Sequence, residues 1–350
     1  MPRVTIVVPN YNYGRYIRET IDYVIRQTFE DWELIVVDDN STDDSREIVQ
    51  DCIRQYPNRD ISLVVNERGP SGTPTPVNIG IGRMRGEYFA WLSSDDVFEP
   101  NKLEMQLHAF SARPELALVH SAFVTIDENS IQNGSFYPPN EFEVDAFTTL
   151  LDGNFINGNT VLIRRHALEK AGPFIETDAA CPDLWRAAEY YHWLKIVSQH
   201  PIECIQQPLH RSRRHSGNAE YNSSPMGPAL ERMLIRRFFS EHDVDVKPET
   251  VAALIGRGLG SVAAGALTKL SPEERGRCIA LLDDIEKDQE RWDVGRYAGV
   301  RRLDNGRIRR AFRAKTPSQA RSMLEAVTGL KTAQTKPYRA AATARLAQMD

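Results

Sequence analysis

Short β-branched runs alternate with amphipathic stretches along the first hundred residues. Residues 4–8 (VTIVV) are an apolar run closed by Pro9, which predicts a short buried strand. Ile17, Ile21, Val24 and Ile25 then recur at i, i+4, i+7 and i+8 on an otherwise polar segment, one face of a helix. Residues 33–37 (ELIVV) predict a second strand, and the Ser41-Thr-Asp-Asp44 run reads as a cap for a helix carrying Ile48, Val49, Cys52 and Ile53. Residues 62–65 (SLVV), a helical stretch at 77–84 and residues 88–92 (YFAWL) repeat the scheme. Strand, helix, strand, helix implies right-handed crossovers and a mostly parallel sheet, so the fold class is α/β.

Beyond residue 100 the pattern loosens. It predicts a helix at 102–112, a strand at 116–126, a polar loop with Pro138 and Pro139, a strand at 160–163 and a helix at 190–197. The SSPMGP run at 223–228 resembles a linker, which sets a boundary near residue 225: a domain at 1–225 and a helical region at 226–350. The most apolar later stretch, 251–267, contains Arg257 and four glycines. A membrane-spanning helix needs about 20 mostly apolar residues, so this segment reads as a small-residue packing helix. Between Arg291 and Arg321, ten basic residues face only Asp293 and Asp304. That bias fits a solvated helical face, an acidic partner, or peripheral contact with an anionic membrane.

At 350 residues the chain is long enough for about two domains, each with a buried core. An apolar fraction of 41% excludes a disordered chain, and a net charge of −5 gives no electrostatic reason to bind nucleic acid. The four cysteines are far apart without a CxxC pair, which excludes a disulfide scaffold or zinc ribbon and fits a reducing cytoplasm. The N-terminal apolar run is too short for a signal peptide, so a cytoplasmic chain is expected.

Candidate chemistry lies at strand ends. Ligands of parallel sheets bind beyond the carboxyl ends of the strands. Asp38-Asp39 closes the ELIVV strand and Asp95-Asp96 follows YFAWLSS. Adjacent carboxylates repel unless a cation or donor groups occupy the site, and Mg²⁺ or Mn²⁺ takes one or two carboxylates plus substrate phosphates. Read individually, each pair also suits a cap or turn. Gly80, Gly82 and Gly86 have the wrong spacing for a dinucleotide fingerprint, and no GxxxxGK[ST] loop exists.

Five blocks in order carry a family resemblance. MPRVTIVVPNYNYGRYIRETIDYVIRQTFEDWELIVVDDNSTDDS, GEYFAWLSSDDVFEPNKLEMQL, NGNTVLIRRHALEKAGPF, AAEYYHWLKI and RRHSGN resemble the family 2 glycosyltransferases of the GT-A fold over residues 3 to 218. The resemblance implies an inverting transfer of a sugar from a nucleotide-diphosphate donor to an acceptor hydroxyl in glycan or polysaccharide assembly. Tyr11 then lies against the base, Asp39 accepts from a uracil-like edge, which favours a UDP- or dTDP-sugar, and Pro9 shapes the same pocket. Asp96 is the expected metal ligand for Mn²⁺ or Mg²⁺, with Asp95 on the ribose or metal. Glu189 matches the general base. His215 matches a contact to the diphosphate or metal, with Arg213 and Arg214 adding positive charge there.

The chain departs from the family pattern at three places. The acidic motif begins with Ser93 where many members have Asp, Val77 stands where many have Arg, and the base helix reads Ala188-Glu189 for Glu-Asp. Ser93 and Val77 leave open a scaffold with a decayed site. A sugar nucleotidyltransferase shares the layout, but its Gly-rich loop is replaced here by Asn10-Tyr-Asn-Tyr-Gly14. The acceptor class (lipid-linked glycan, polysaccharide or protein) is not specified by these motifs.

Overall fold

The computed structural model describes residues 2–142, 145–176, 184–215, 227–257, 259–275 and 277. The basic 291–321 segment lies outside the described residues. Two compact units emerge, one comprising Met1–Glu141 with Phe155–Glu231, the other Phe142–Asn154 with Arg232–Asp350.

The first unit begins with β1 (Val4–Asn10), α1 (Gly14–Ile25), β2 (Trp32–Asp38), α2 (Ser45–Gln55), β3 (Ile61–Val65), α3 (Pro74–Ile81) and β4 (Tyr88–Trp91). It continues through β5 (Val97–Phe98), α4 (Lys102–Ala112), β6 (Leu118–Ile126) and β7 (Gln132–Phe136). The helix α5 (Ala146–Asp152) belongs to the second unit. Then come β8 (Leu162–Arg164), α6 (Arg165–Ala171), α7 (Ala188–Val197) and β9 (Ile202–Arg213). The strands form one sheet in the order β3-β2-β1-β4-β8-β6-β9-β5, with β7 added on β6. The first four are parallel, as the alternating pattern predicts, and β6 pairs β9 in parallel. Antiparallel pairing enters through β8, β5 and β7.

Strand β1 runs two residues past Val8, through the expected stop at Pro9 to Asn10. Its pairing with β4 ends at Val7, while that with β2 continues through Pro9 opposite Val37. The missing N–H of Pro9 therefore falls where β1 has a neighbour on one side only. Alternation along β1 divides the core. Val4, Ile6 and Val8 share a buried cluster with Ile17, Ile21 and Val24 of α1, Val49 of α2, and Leu107 and Phe110 of α4. Val7 points to the other face, against Gly80 of α3.

The expected cap at 41–44 works between helices. Asp43 Oδ1 accepts from Ser45 N (3.0 Å), while its Oδ2 accepts from Gly14 N at the start of α1 (2.9 Å). One carboxylate thus satisfies the first N–H groups of two helices, and those bonds hold its pKa below the ordinary carboxylate value although burial opposes them.

The second unit contains α5 and the later helices α8 (Gly227–Glu241, from Arg232 onward), α9 (Pro248–Gly256) and α10 (Gly260–Leu267). The Thr148 and Thr250 hydroxyls join α5 to α9 at 2.8 Å, and Phe147 packs on Phe238 with centroids 5.6 Å apart. Among the described residues no helix is long and apolar enough to cross a membrane.

The α3 contact is testable. A Cβ on Gly80 would collide with both Cγ atoms of Val7, one at 2.8 Å. Helix propensity favours alanine by about 1 kcal/mol, whereas overpacking a tight contact costs about 1–3 kcal/mol. Gly80→Ala should therefore lower the melting temperature by a few degrees, and an unchanged or higher value would show that α3 is free to shift.

Candidate active site

The residues expected to hold the nucleotide lie after β1 and β2. Asn10 Nδ2 donates to Asp38 Oδ2 (2.9 Å) and to the Ser41 hydroxyl (3.2 Å), and Asn12 N donates to the same hydroxyl (2.9 Å). These bonds stitch the loop carrying Tyr11 to the loop after Asp39. Pro9 is buried, whereas Tyr11 is 39% exposed, so its ring is available to a planar ligand. Asp38 is a structural carboxylate: its Oδ1 accepts from Arg46 Nε (2.6 Å) and Ser41 N (2.9 Å), and these donors hold its pKa below the usual range against burial.

Asp39 is 2% exposed and already grips its own pocket. Asn66 Nδ2 donates to Oδ1 (2.6 Å), Ser71 N to Oδ2 (2.7 Å), and the Ser71 hydroxyl lies 2.9 and 3.1 Å from the two oxygens. A carboxylate offers about four lone-pair directions, so these three donors leave room for one more. Gly72, at φ +80°, follows Ser71, and a Cβ there would sit 3.4 Å from Trp185 Cγ. Trp185 lies on the 3₁₀ turn (Leu184–Ala187) that leads into α7. The loop after Asp39 and the turn that leads into α7 therefore meet.

The acidic motif closes around β4. Asp96 is 3% exposed, its Oδ1 accepts from Arg213 N (2.6 Å), and its Oδ2 accepts from Asn159 Nδ2 (3.0 Å). The His210 Nε2 lies 3.2 Å from the same Oδ2. Each oxygen of the expected metal ligand thus already accepts from one protein donor, with acceptor capacity left on the carboxylate. Asp95, its neighbour, instead places Oδ2 3.1 Å from His215 Nε2. The His215 ring stacks on Tyr16 with centroids 5.2 Å apart and meets Tyr13 edge-on at 5.7 Å. Burial, then the Arg213 charge, lowers the His215 pKa, so the imidazole is neutral at neutral pH.

Arg213 does not face a leaving group. It is 1% exposed; its Nε donates to Asp95 O (2.7 Å), one Nη to Glu19 Oε2 (2.7 Å) and the other to the Ser130 hydroxyl (2.9 Å). The positive charge expected there is consumed in joining β9, α1 and the β6–β7 loop. Val77, where many family members carry Arg, is fully buried core.

Glu189 opens α7, and its Oε2 accepts from Gly158 N at 2.8 Å. The residue is half-buried and its carboxyl is packed in protein. Burial raises its pKa to about 7, against the lowering effect of the Gly158 N–H. A carboxyl poised near neutrality is what a general base needs. Sequence reasoning missed Gly158, Asn159 and Tyr13. The Tyr13 phenol has its pKa raised by burial and then by the Asp95 and Asp96 charges, which places it beside the acidic pair.

The divalent-metal expectation can be tested against these donors. Asp95 and His215 supply one hard oxygen and one imidazole nitrogen 3.1 Å apart, and no group of three or more His, Cys, Asp or Glu side chains suited to a metal exists among the described residues. Mg²⁺ and Mn²⁺ accept such sparse protein ligation when phosphates and water complete the shell. The donor set fits.

An Asp–His pair and a near-neutral carboxyl thus lie at the ends of the strands, and comparison with known proteins specifies the family. Residues 5–172 match the model of glycosyl transferase family 2. The chain is 30% identical over 205 residues to the Escherichia coli UDP-Glc:alpha-D-GlcNAc-diphosphoundecaprenol beta-1,3-glucosyltransferase WfgD, covering 58% of this chain and 72% of that protein. It is 33% identical over 221 residues to a glycosyltransferase of Rickettsia felis, covering 61% of this chain but only 35% of the relative. Among solved structures, Staphylococcus aureus TarS 1–349 in complex with UDP-GlcNAc superposes with a TM-score of 0.55 at 16% identity, covering 99% of this chain and 89% of that one. The Pyrobaculum calidifontis mannosyltransferase PcManGT, in complex with GDP-Man and Mn²⁺, gives 0.51 at 18% identity, covering 90% and 88%. The chain belongs to glycosyltransferase family 2, with the GT-A type of fold.

The bonds to Asp96 predict its loss. Asp96→Ala strands the Arg213 N–H and the Asn159 amide in a buried site, at about 1–3 kcal/mol for each unsatisfied donor. Chemical denaturation should show a destabilisation of about 2 kcal/mol or more. A stability equal to wild type would mean that water replaces the carboxylate at no cost.

Proposed function

We propose that this chain is an inverting glycosyltransferase that moves a sugar from a UDP- or dTDP-sugar to an acceptor hydroxyl. The observation that carries the reading is the Glu189 carboxyl, with a pKa of about 7, linked through the residues at 158 and 159 to the acidic motif. Glu189 takes the proton of the acceptor hydroxyl as that oxygen forms a bond to the anomeric carbon. The bond from that carbon to the diphosphate breaks on the opposite face, and the nucleoside diphosphate leaves with the electron pair. Tyr11 and Asp39 hold the base, the one as an aromatic face and the other through its remaining acceptor capacity.

The metal ligand is reassigned within the motif, from Asp96 to Asp95 with His215. These two residues would hold Mn²⁺ or Mg²⁺, and the ion when bound supplies positive charge to the diphosphate. PcManGT carries Mn²⁺ with its donor, which supports the reading. For the acceptor, WfgD is named for a diphosphoundecaprenol-linked sugar. A lipid-linked glycan is accordingly the acceptor class favoured here, in glycan or polysaccharide assembly.

Three outcomes test this. With full-length protein and Mn²⁺, UDP or dTDP should bind at least about tenfold more tightly than CDP, because cytosine N3 is an acceptor that repels Asp39. Equal dissociation constants sink the base assignment. Asp95→Ala should remove the Mn²⁺-dependent part of UDP binding. Retention of that part, measured by calorimetry, excludes Asp95 as a ligand. Release of UDP from UDP-glucose or UDP-GlcNAc should rise with pH through a midpoint near 7, where the Glu189 proton is lost. Below that midpoint the protonated carboxyl is no base, and Glu189→Gln should abolish turnover at every pH.

A further inference from the structure

The turn at residues 157–160 makes consecutive contacts with both halves of the site. Gly158 N donates to Glu189 Oε2 (2.8 Å). At the next residue, Asn159 Oδ1 accepts from Ser93 N (2.6 Å) and Asn159 Nδ2 donates to Asp96 Oδ2 (3.0 Å). Asn159 therefore ties both ends of the four-residue loop that carries Asp95. A Cβ on Gly158 would lie 2.7 Å from Glu189 Oε2 and 2.9 Å from its Cδ, so this position admits the carboxyl only because it is glycine.

The turn is itself braced from inside the protein. Asn157 Oδ1 accepts from Asn159 N (2.9 Å), and the Thr160 hydroxyl donates to Asn157 O (2.7 Å). Behind it, Lys102 and Gln106 of α4 are both fully buried. The Lys102 ammonium donates to Gln106 Oε1 (2.5 Å) and to the carbonyls of Thr160 and Val161 (3.3 Å each), and Gln106 Nε2 donates to Thr160 O (2.8 Å). Burial pushes the Lys102 pKa well below its ordinary value, with no carboxylate among these bonds to offset it. A lysine buried on such terms costs stability wherever a smaller apolar residue would pack. What it holds is the carbonyl pair at the end of this turn.

We infer that Gly158 and Asn159 are positioning residues, Gly158 setting the proton-accepting carboxyl of Glu189 and Asn159 setting the acidic loop, so that one rigid turn fixes the distance between base and diphosphate site. This inference rests on the reading of Glu189 as the base. The two contacts lie on different atoms, so they separate experimentally.

The test uses the full-length protein with two readouts. One is the titration of Glu189, followed by ¹³C NMR of carboxyl-labelled glutamate and assigned by the resonance missing in Glu189→Gln. The other is calorimetry of UDP in the presence of Mn²⁺. Gly158→Ala should displace the Glu189 midpoint by about half a unit or more, since it disrupts the Gly158 hydrogen bond that lowers that pKa, with UDP affinity within about twofold of wild type. Asn159→Ala should weaken Mn²⁺-dependent UDP binding by about tenfold while the Glu189 midpoint stays put. If Asn159→Ala does not fold, Asn159→Asp serves, because it sets a second carboxyl against Asp96 at the same size. An unmoved Glu189 midpoint in Gly158→Ala, or both variants shifting both readouts alike, overturns the inference. Full UDP-sugar turnover in Glu189→Gln would instead sink the base assignment, and the two failures are distinguishable because the titration and binding readouts need no turnover.

Discussion

The geometry of the site depends on how one buried carboxylate is satisfied. Asp96 accepts from the backbone of Arg213 at the end of β9 and from the side chain of Asn159 in the 157–160 turn. Its own carbonyl accepts from the Thr20 hydroxyl of α1 (2.8 Å). Three segments distant in sequence are thereby fastened to the end of β4. A buried carboxylate needs donors, and the Arg213 and Asn159 bonds supply them to this side chain. Asp95 is left next to this anchor, with its side chain on His215. The proposed division of labour within the acidic pair rests on this difference, Asp96 holding the loop and Asp95 meeting the ligand.

The same logic extends behind the site, where polar groups are buried in numbers a purely apolar core would avoid. Arg213, Lys102 and Gln106 are each 1% exposed or less. Arg213 is compensated by Glu19 and by carbonyls, Lys102 by neutral oxygens alone. Buried polar networks are rigid when fully bonded and costly when one partner is lost. Such a network fits a protein that must hold a base and a diphosphate site in fixed register, because a displacement of about 1 Å at a reacting pair costs orders of magnitude in rate.

Much of the fold was legible because its first half obeys simple periodicities. The runs at 4–8, 33–37 and 62–65 are β-branched and became β1, β2 and β3, and the helix expected at 102–112 is α4. Strand β9 was not legible. It carries Gln206, Gln207 and Pro208 in its middle, and its register against β6 slips between the partners of Ser121 and Ala122, which breaks the two-residue alternation on which strand reading relies. The family resemblance marked Glu189 and the acidic pair, but motif spacing does not say which of two adjacent aspartates turns inward. That is decided by Arg213 and Asn159, whose approach is tertiary. The 157–160 turn opens one of the blocks that carry the resemblance, but NGNT reads as any polar turn until its neighbours are known.

The remaining electrostatics explain why the ligand must complete the site. Asp95 and Asp96 are neighbours, and the Tyr13 phenol beside them is held neutral by burial and by their charges. His215 brings no positive charge at neutral pH, because burial and Arg213 depress its pKa. Of the nearby cations, Arg213 is already committed to Glu19 and to carbonyls. Arg214, beside His215, is exposed, and the acidic loop itself presents negative charge and a neutral imidazole. A diphosphate brought there unaccompanied would meet like charge, whereas one brought with a divalent cation meets a complementary site. On the proposed assignment metal and nucleotide would therefore bind cooperatively, each supplying the charge or the ligating oxygens that the other needs.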